Sequence, residues 1–266
     1  MSIFVSRPKV NKVAVAQIPP HVVRAAKLIA AMLPALDAAT RAALSEIDRA
    51  DLPVPDLMPR LEFRKRVSLP NTLAPIEEMK AAALAEIAAA PCFIENTLAF
   101  HAQLEALMRA PTLSEAARER KNLIAEAEAS HRRVFVASLE QTCAKAAAAT
   151  GFGRIERTAG PLGDRRIIAT DEQGRGIVAE IRTDQRGDVA LASEIIGVKD
   201  NSCHTLMARF EEELERLGVH AGPPERRATN GVAQLSAARE FLRKKVDTAV
   251  CRAQRLNQRL RGRVAQ

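Results

Sequence analysis

The stretch from Val189 to Gly218 changes hydrophobic period halfway along, and that switch constrains the fold more than any other part of the chain. From Val189 to Ile196 the apolar positions alternate, with Val189, Leu191 and Ile195 on one face, as a strand requires. From Cys203 onward Leu206, Phe210, Leu214 and Leu217 recur at steps of three and four, as a helix requires. Gly197 ends the first pattern, and Asp200, Asn201 and Ser202 supply capping side chains for the second. Gly218 stands where a left-handed residue closes a helix. A strand that feeds a helix through so short a loop predicts a small α/β module.

Upstream runs extend that module. Residues 165–170 and 175–183 are β-favouring, carry Ile167, Ile177 and Ile181, and are separated by the turn-forming Asp171 to Gly174. A second turn, Asp184 to Asp188, leads into the strand that begins at Val189. The expectation is an antiparallel meander of three strands, or four if Phe152 to Thr158 joins, covered on one face by one helix.

The junction Gly197, Val198, Lys199, Asp200, Asn201, Ser202, Cys203 and its leucine helix resemble a small bacterial domain family of unknown function. That family is built from a hairpin and a helix with a Gly-x-Lys-Gly-x-Ser-Cys junction. Asp200 replaces the second glycine, and the helix is about one turn longer. The resemblance is confined to the module and brings no activity or cofactor with it. It implies a component of a bacterial multi-protein assembly, with other protein subunits and an AAA-type ATPase as the partners it points to.

The rest of the chain is expected to be mainly helical. Aromatic residues make up 3% of it, with no Trp or Tyr, so the core must come from Ala, Leu, Ile and Val, which suits close-packed helices. Residues 1–19 could form a strand or an arm, and the arm is the preferred reading. A helix is expected from His21 to Ala50, bent at Pro34, followed by a connector holding Pro53, Pro55, Pro59, Pro70 and Pro75. Two long helices then predict an αα-hairpin, Ile76 to Arg109 with a kink at Pro91 and Leu113 to Thr150, joined by Ala110, Pro111 and Thr112. Thr112 with Glu115 fits a capping box. The predicted class is therefore α+β, predominantly helical. Its parts are 1–75 (arm, helix and connector), 76–150 (hairpin), 151–222 (α/β module) and 223–266 (basic amphipathic helix).

That last segment carries the charge. From Arg226 to Gln266 there are eleven Lys or Arg and two acids, a balance of +9 against +8 for the whole chain, so the remainder is close to neutral. Arg239, Arg243, Lys244, Arg252, Arg255, Arg259 and Arg263 are the candidate contacts to an acidic partner. Leu235, Ala238, Leu242, Val246, Ala249, Ala253, Leu256 and Leu260 mark the opposite, apolar side. Phosphate backbones of DNA or RNA attract such a stripe through counterion release, although Phe241 is its only stacking residue. An acidic protein surface would attract it equally. Its alanine-rich seam suits a membrane surface poorly.

Elsewhere the sequence offers little chemistry. Cys203 at a helix start is the candidate reactive thiol, against the plainer reading of a packed cysteine, and Gly197, Ser202 and Gly218 are structural residues of its junction. Cys92, Cys143, Cys203 and Cys251 form no C-x-x-C pair, and His21, His101, His131, His204 and His220 show no ligand spacing. No phosphate-binding loop, cofactor motif, signal peptide or membrane span is recognised, and a reducing cytoplasmic location is the expectation.

Overall fold

A computed structural model describes residues 3–14, 18, 21–32, 41, 56–61, 73–159, 164–198, 200, 202–228 and 232–244. In chain order the first elements are β1 (Ile3–Arg7), β2 (Val10–Ala14), β3 (Val23–Arg24), α1 (Ala25–Met32), β4 (Asp56–Leu57), α2 (Pro75–Ala89), β5 (Phe93–Ile94), α3 (Thr97–Arg109) and α4 (Leu113–Ala149). There follow β6 (Arg154–Ala159), β7 (Arg165–Thr170), β8 (Gly176–Thr183), β9 (Val189–Ile196), α5 (Ser202–Arg216), β10 (His220–Ala221) and β11 (Glu225–Ala228). Residues 236–244 are helical and are called α6. The fold is α+β with antiparallel sheets.

The main sheet has the order β11-β1-β9-β8-β7-β6, antiparallel throughout. Residues 1–19 thus hold a strand where an arm was expected. Ile3 and Val5 alternate inward and meet Ile195 and Ser193 on β9, so β1 fills the edge that a local meander would leave open. The module of 151–222 is completed by strands from both ends of the chain. Its two inner turns, Asp171–Arg175 and Asp184–Asp188, share one construction. Each opens with an aspartate whose carboxylate accepts backbone N–H bonds inside the loop, and each holds a positive-φ glycine at the fourth position.

Helices cover both faces, rather than one helix covering one. On the first face Ile3, Val5, Ile167, Ile177, Ile181, Leu191 and Ile195 pack against Val134, Phe135, Leu139 and Cys143 of α4 and Cys203, Leu206, Met207 and Phe210 of α5. On the second, Val178 and Ile196 pack against Ala233, Leu235, Ala237 and Ala238, with Phe4, Ile168, Phe241 and Leu242 at the margin.

At 37 residues, about 55 Å, α4 serves two cores. Its first half supplies Ala116, Leu123 and Ala127 to a helical cluster with α1, α2 and α3, and its second half roofs the sheet. Thr112 caps it, Oγ1 accepting from the Glu115 N–H at 3.3 Å.

The single helix expected over 76–109 is two helices. Ala90 is extended, as a residue before proline prefers, and the chain passes through β5 before Asn96 caps α3 through the Ala99 N–H at 3.1 Å. The main-chain donors freed there find partners on α4: Ser130 Oγ accepts from Glu95 N–H at 2.9 Å and His131 Nδ1 from Phe93 N–H at 3.3 Å.

The helix expected over 21–50 begins with strand β3, paired to β5, and is helical as α1. Apart from residue 41, its part beyond residue 32, including the bend at Pro34, lies outside the described residues. In the proline-rich connector, β4 pairs with β2. The basic segment opens with strand β11, and its residues from 245 onward also lie outside the described residues.

Candidate binding surface on a clasped cationic helix

Two glutamates on neighbouring strands shape the second face of the sheet. Side chains alternate along β8 and β9, so Glu180 and Glu194 both point toward α6, and both are fully buried. Glu194 accepts the N–H groups of Gln234 at 2.9 Å and Leu235 at 2.9 Å. Glu180 accepts the Ser236 hydroxyl at 2.8 Å and the Ala237 N–H at 2.9 Å. These are the donors that a helix start leaves without intrahelical partners, and the carboxylates meet the positive end of its dipole. Arg166 donates to the Ser236 hydroxyl at 2.9 Å, and Arg182 pairs with Glu180.

The two carboxyls respond differently to this setting. Burial raises the pKa of Glu194, opposed by the Leu235 and Gln234 N–H groups and by Arg239. Burial also works against the charge on Glu180, but there the Ala237 N–H, Arg182 and Ser236 outweigh it and hold the carboxyl below its ordinary range. The sheet therefore grips α6 through its first turn.

The other side of α6 faces solvent. Arg239, Arg243 and Lys244 are exposed, with Glu240 paired to Lys244 at 2.9 Å. Of the predicted contact residues these three lie together on the clasped helix, whereas Arg252, Arg255, Arg259 and Arg263 lie outside the described residues.

The junction residues have structural places. Gly197 and Gly218 adopt φ values of 76° and 83°. Ser202 opens α5, its N–H donating to Asp200 Oδ1 at 3.0 Å, while Lys199 and Asn201 lie outside the described residues. At the other end Val219 N–H bonds Leu214 O and Gly218 N–H bonds Glu215 O, the paired closure of a left-handed cap. Cys203, in the first turn of α5, is fully buried against the sheet, the placement expected of the plainer reading as a packed cysteine. The nearby open depression of about 400 Å³ is lined by His204, Thr205, Met207, Ala208, Ile3, Glu211 and Arg226 and does not include it. Burial pushes the Cys143 thiol up to about 12. Cys251 lies outside the described residues.

Other buried ionisable groups join elements together. Glu211 on α5 takes Arg7 of β1 at 3.0 Å and Arg226 of β11, and Glu86 on α2 takes Arg120 of α4 through both oxygens at 2.8 and 2.7 Å. Lys80 donates to the Met108 carbonyl at the end of α3 at 3.1 Å. Among the described residues no three His, Cys, Asp or Glu side chains converge as a metal site, and no helix is long and apolar enough to cross a membrane.

Sequence reading missed the clasp altogether. Glu180 and Glu194 are each a single acid in an apolar strand, and that local oddity is the signal that could have marked them. Comparison with protein families, with curated proteins and with solved structures gave no match for this chain.

Proposed function

We propose that the chain is a non-enzymatic adaptor or scaffold subunit of a multi-protein assembly, with the cationic side of α6 docking an acidic partner protein. One observation carries the reading: Glu180 and Glu194 fix α6 to a rigid sheet while Arg239, Arg243 and Lys244 stand on its outer side. Anchoring lowers the entropy lost on docking, because the charges are held on a common rigid support before a partner arrives. The long α4 adds a second extended surface tied to the same core.

The test is recovery of proteins from a native-host lysate on the immobilised full chain at low salt. The proposal expects a defined partner that is lost when Arg239 and Arg243 are both changed to Glu. A chain that recovers no protein counts against it.

The charge balance of the segment favours a second reading, nucleic-acid binding. Residues 245–266 carry six cations and one acid, +5, and can be deleted without touching β11 or the clasp. With no Trp or Tyr the protein absorbs little near 280 nm, so bound nucleic acid would dominate its spectrum. A 260 nm peak in nuclease-free preparations that disappears on deleting 245–266 would put this reading first. A spectrum of peptide and Phe bands alone would remove it.

A further inference from the structure

Among the described residues the main sheet has an open edge at β6, exposed along nearly its whole length, with only Ile155 partly covered at the rim of the main core. Open edges invite pairing, and charge on them usually prevents it. Here the charges are spaced for pairing with themselves.

The backbone phase of β6 follows from the turn beyond β7. In an antiparallel ladder hydrogen-bonded and non-bonded pairs alternate, and both polar groups of a residue point to the same side. Asp171 N–H bonds Arg175 O at 3.0 Å, so that pair is hydrogen-bonded and Thr170 with Gly176 is not. Arg166, Ile168 and Thr170 therefore direct their main-chain groups toward β6, where their partners are Thr158, Glu156 and Arg154. The residues between, Ile155 and Arg157 with Ala159, direct theirs outward to the empty edge.

Any register that sets outward residues opposite one another can join two such edges about a two-fold axis, whether it is centred on an outward residue or on one between two of them. Centring on Arg154 or Glu156 sets that charge against its own copy in the close non-bonded position, and centring on Thr158 or beyond draws in residues 160–162, which lie outside the described residues. Centring on Arg157 sets that cation against itself. Centring on Ile155 makes Ile155 and its copy a hydrogen-bonded pair on the core face, with Gly153 opposite Arg157 on either side. On the other face the same register sets Arg154 opposite Glu156 of the second copy, and Glu156 opposite Arg154, in the close non-bonded positions where side chains interact best. About six main-chain hydrogen bonds and two reciprocal ion pairs would form. Ile155, half-covered in one chain, would be closed over by its own copy.

We propose that β6 is a self-association edge, pairing antiparallel with β6 of a second copy about Ile155, so that two main sheets join into one. The contact is isologous and closes at the dimer. It stands independently of the docking surface on α6.

Sedimentation velocity on the full chain over a concentration series tests it. Wild type should form a dimer and nothing larger. R154E and E156R, each replacing both reciprocal pairs with like charges, should raise the dimer dissociation constant about tenfold or more. The double variant R154E/E156R, which restores the pairs with exchanged signs, should recover wild-type affinity. Both side chains are exposed, so the singles should fold, with circular dichroism as the check. A monomer at every concentration overturns the proposal. So does a dimer indifferent to the single reversals, a double variant as weak as the singles, or growth into longer polymers.

Discussion

His131 joins three segments through one ring. It lies fully covered on α4, Nδ1 accepts from Phe93 of β5, Nε2 donates to the Met58 carbonyl at 2.6 Å, and the ring stacks on Phe93. The bond from Phe93 requires the neutral form, because a protonated Nδ1 has no lone pair to accept it. Burial lowers its pKa from near 6.5 to about 4, with the Met58 carbonyl opposing and Arg132 adding to the fall. An unfolded ring gains its proton near 6.5 while the folded one resists to about 4, so the unfolded state binds more protons between those values. Stability should fall as pH drops through that window, by about 3 kcal/mol in total. Urea midpoints across that range, compared with His131→Phe, isolate the share due to this ring; equal slopes in the two proteins would exclude it. A second residue-scale outcome concerns Gly197, whose φ of 76° disfavours any side chain. A Cβ there would lie 2.7 Å from the Gly174 carbonyl oxygen, a backbone atom with little room to move. Gly197→Ala should cost about 2 kcal/mol or more, seen as a lowered melting temperature.

At the scale of elements, the clasp decides where α6 sits. Removing the Glu194 carboxylate strands the Gln234 and Leu235 N–H groups beside an apolar layer, so Glu194→Ala should cost about 1–2 kcal/mol. Amide exchange should accelerate over residues 236–244 first, while β8 and β9 keep their protection. Glu194→Gln, which keeps an acceptor, should lose less. Uniform acceleration across the sheet would mean that the glutamate supports the strand rather than the helix. Sequence showed these elements unevenly. The β7 to β9 meander and the start and end of α5 were legible, because turns, caps and period are local. The division at Pro91 was expected only as a kink. Its completion as β5 depends on Ser130 and His131, more than 30 residues away, which accept the freed donors.

For the whole molecule, the covered second face changes what the cationic segment is. Deleting residues 226–266 would remove a strand and a core layer and should unfold the sheet, whereas deleting 245–266 spares both and should lower the thermal transition less. Matching melts for the two truncations would contradict the placement of β11 and α6. If the exposed cations bind a partner, affinity should weaken steeply with salt, while the clasp, shielded from solvent, should be much less sensitive.

The amphipathic pattern of 235–260 was readable in sequence, and so was the identity of its charged side, because both follow from spacing along the chain. The surface that would receive the apolar side was not. Amino-acid order alone determined an α+β chain with a local meander, a capped helix and a cationic end. Tertiary structure decided that β1 enters the sheet between β9 and β11, that α4 links two cores, and that Glu180 and Glu194 hold the cationic end in place. These contacts join residues from tens to more than two hundred positions apart. Their strength comes from burial and from backbone donors that only the folded chain brings to the same point.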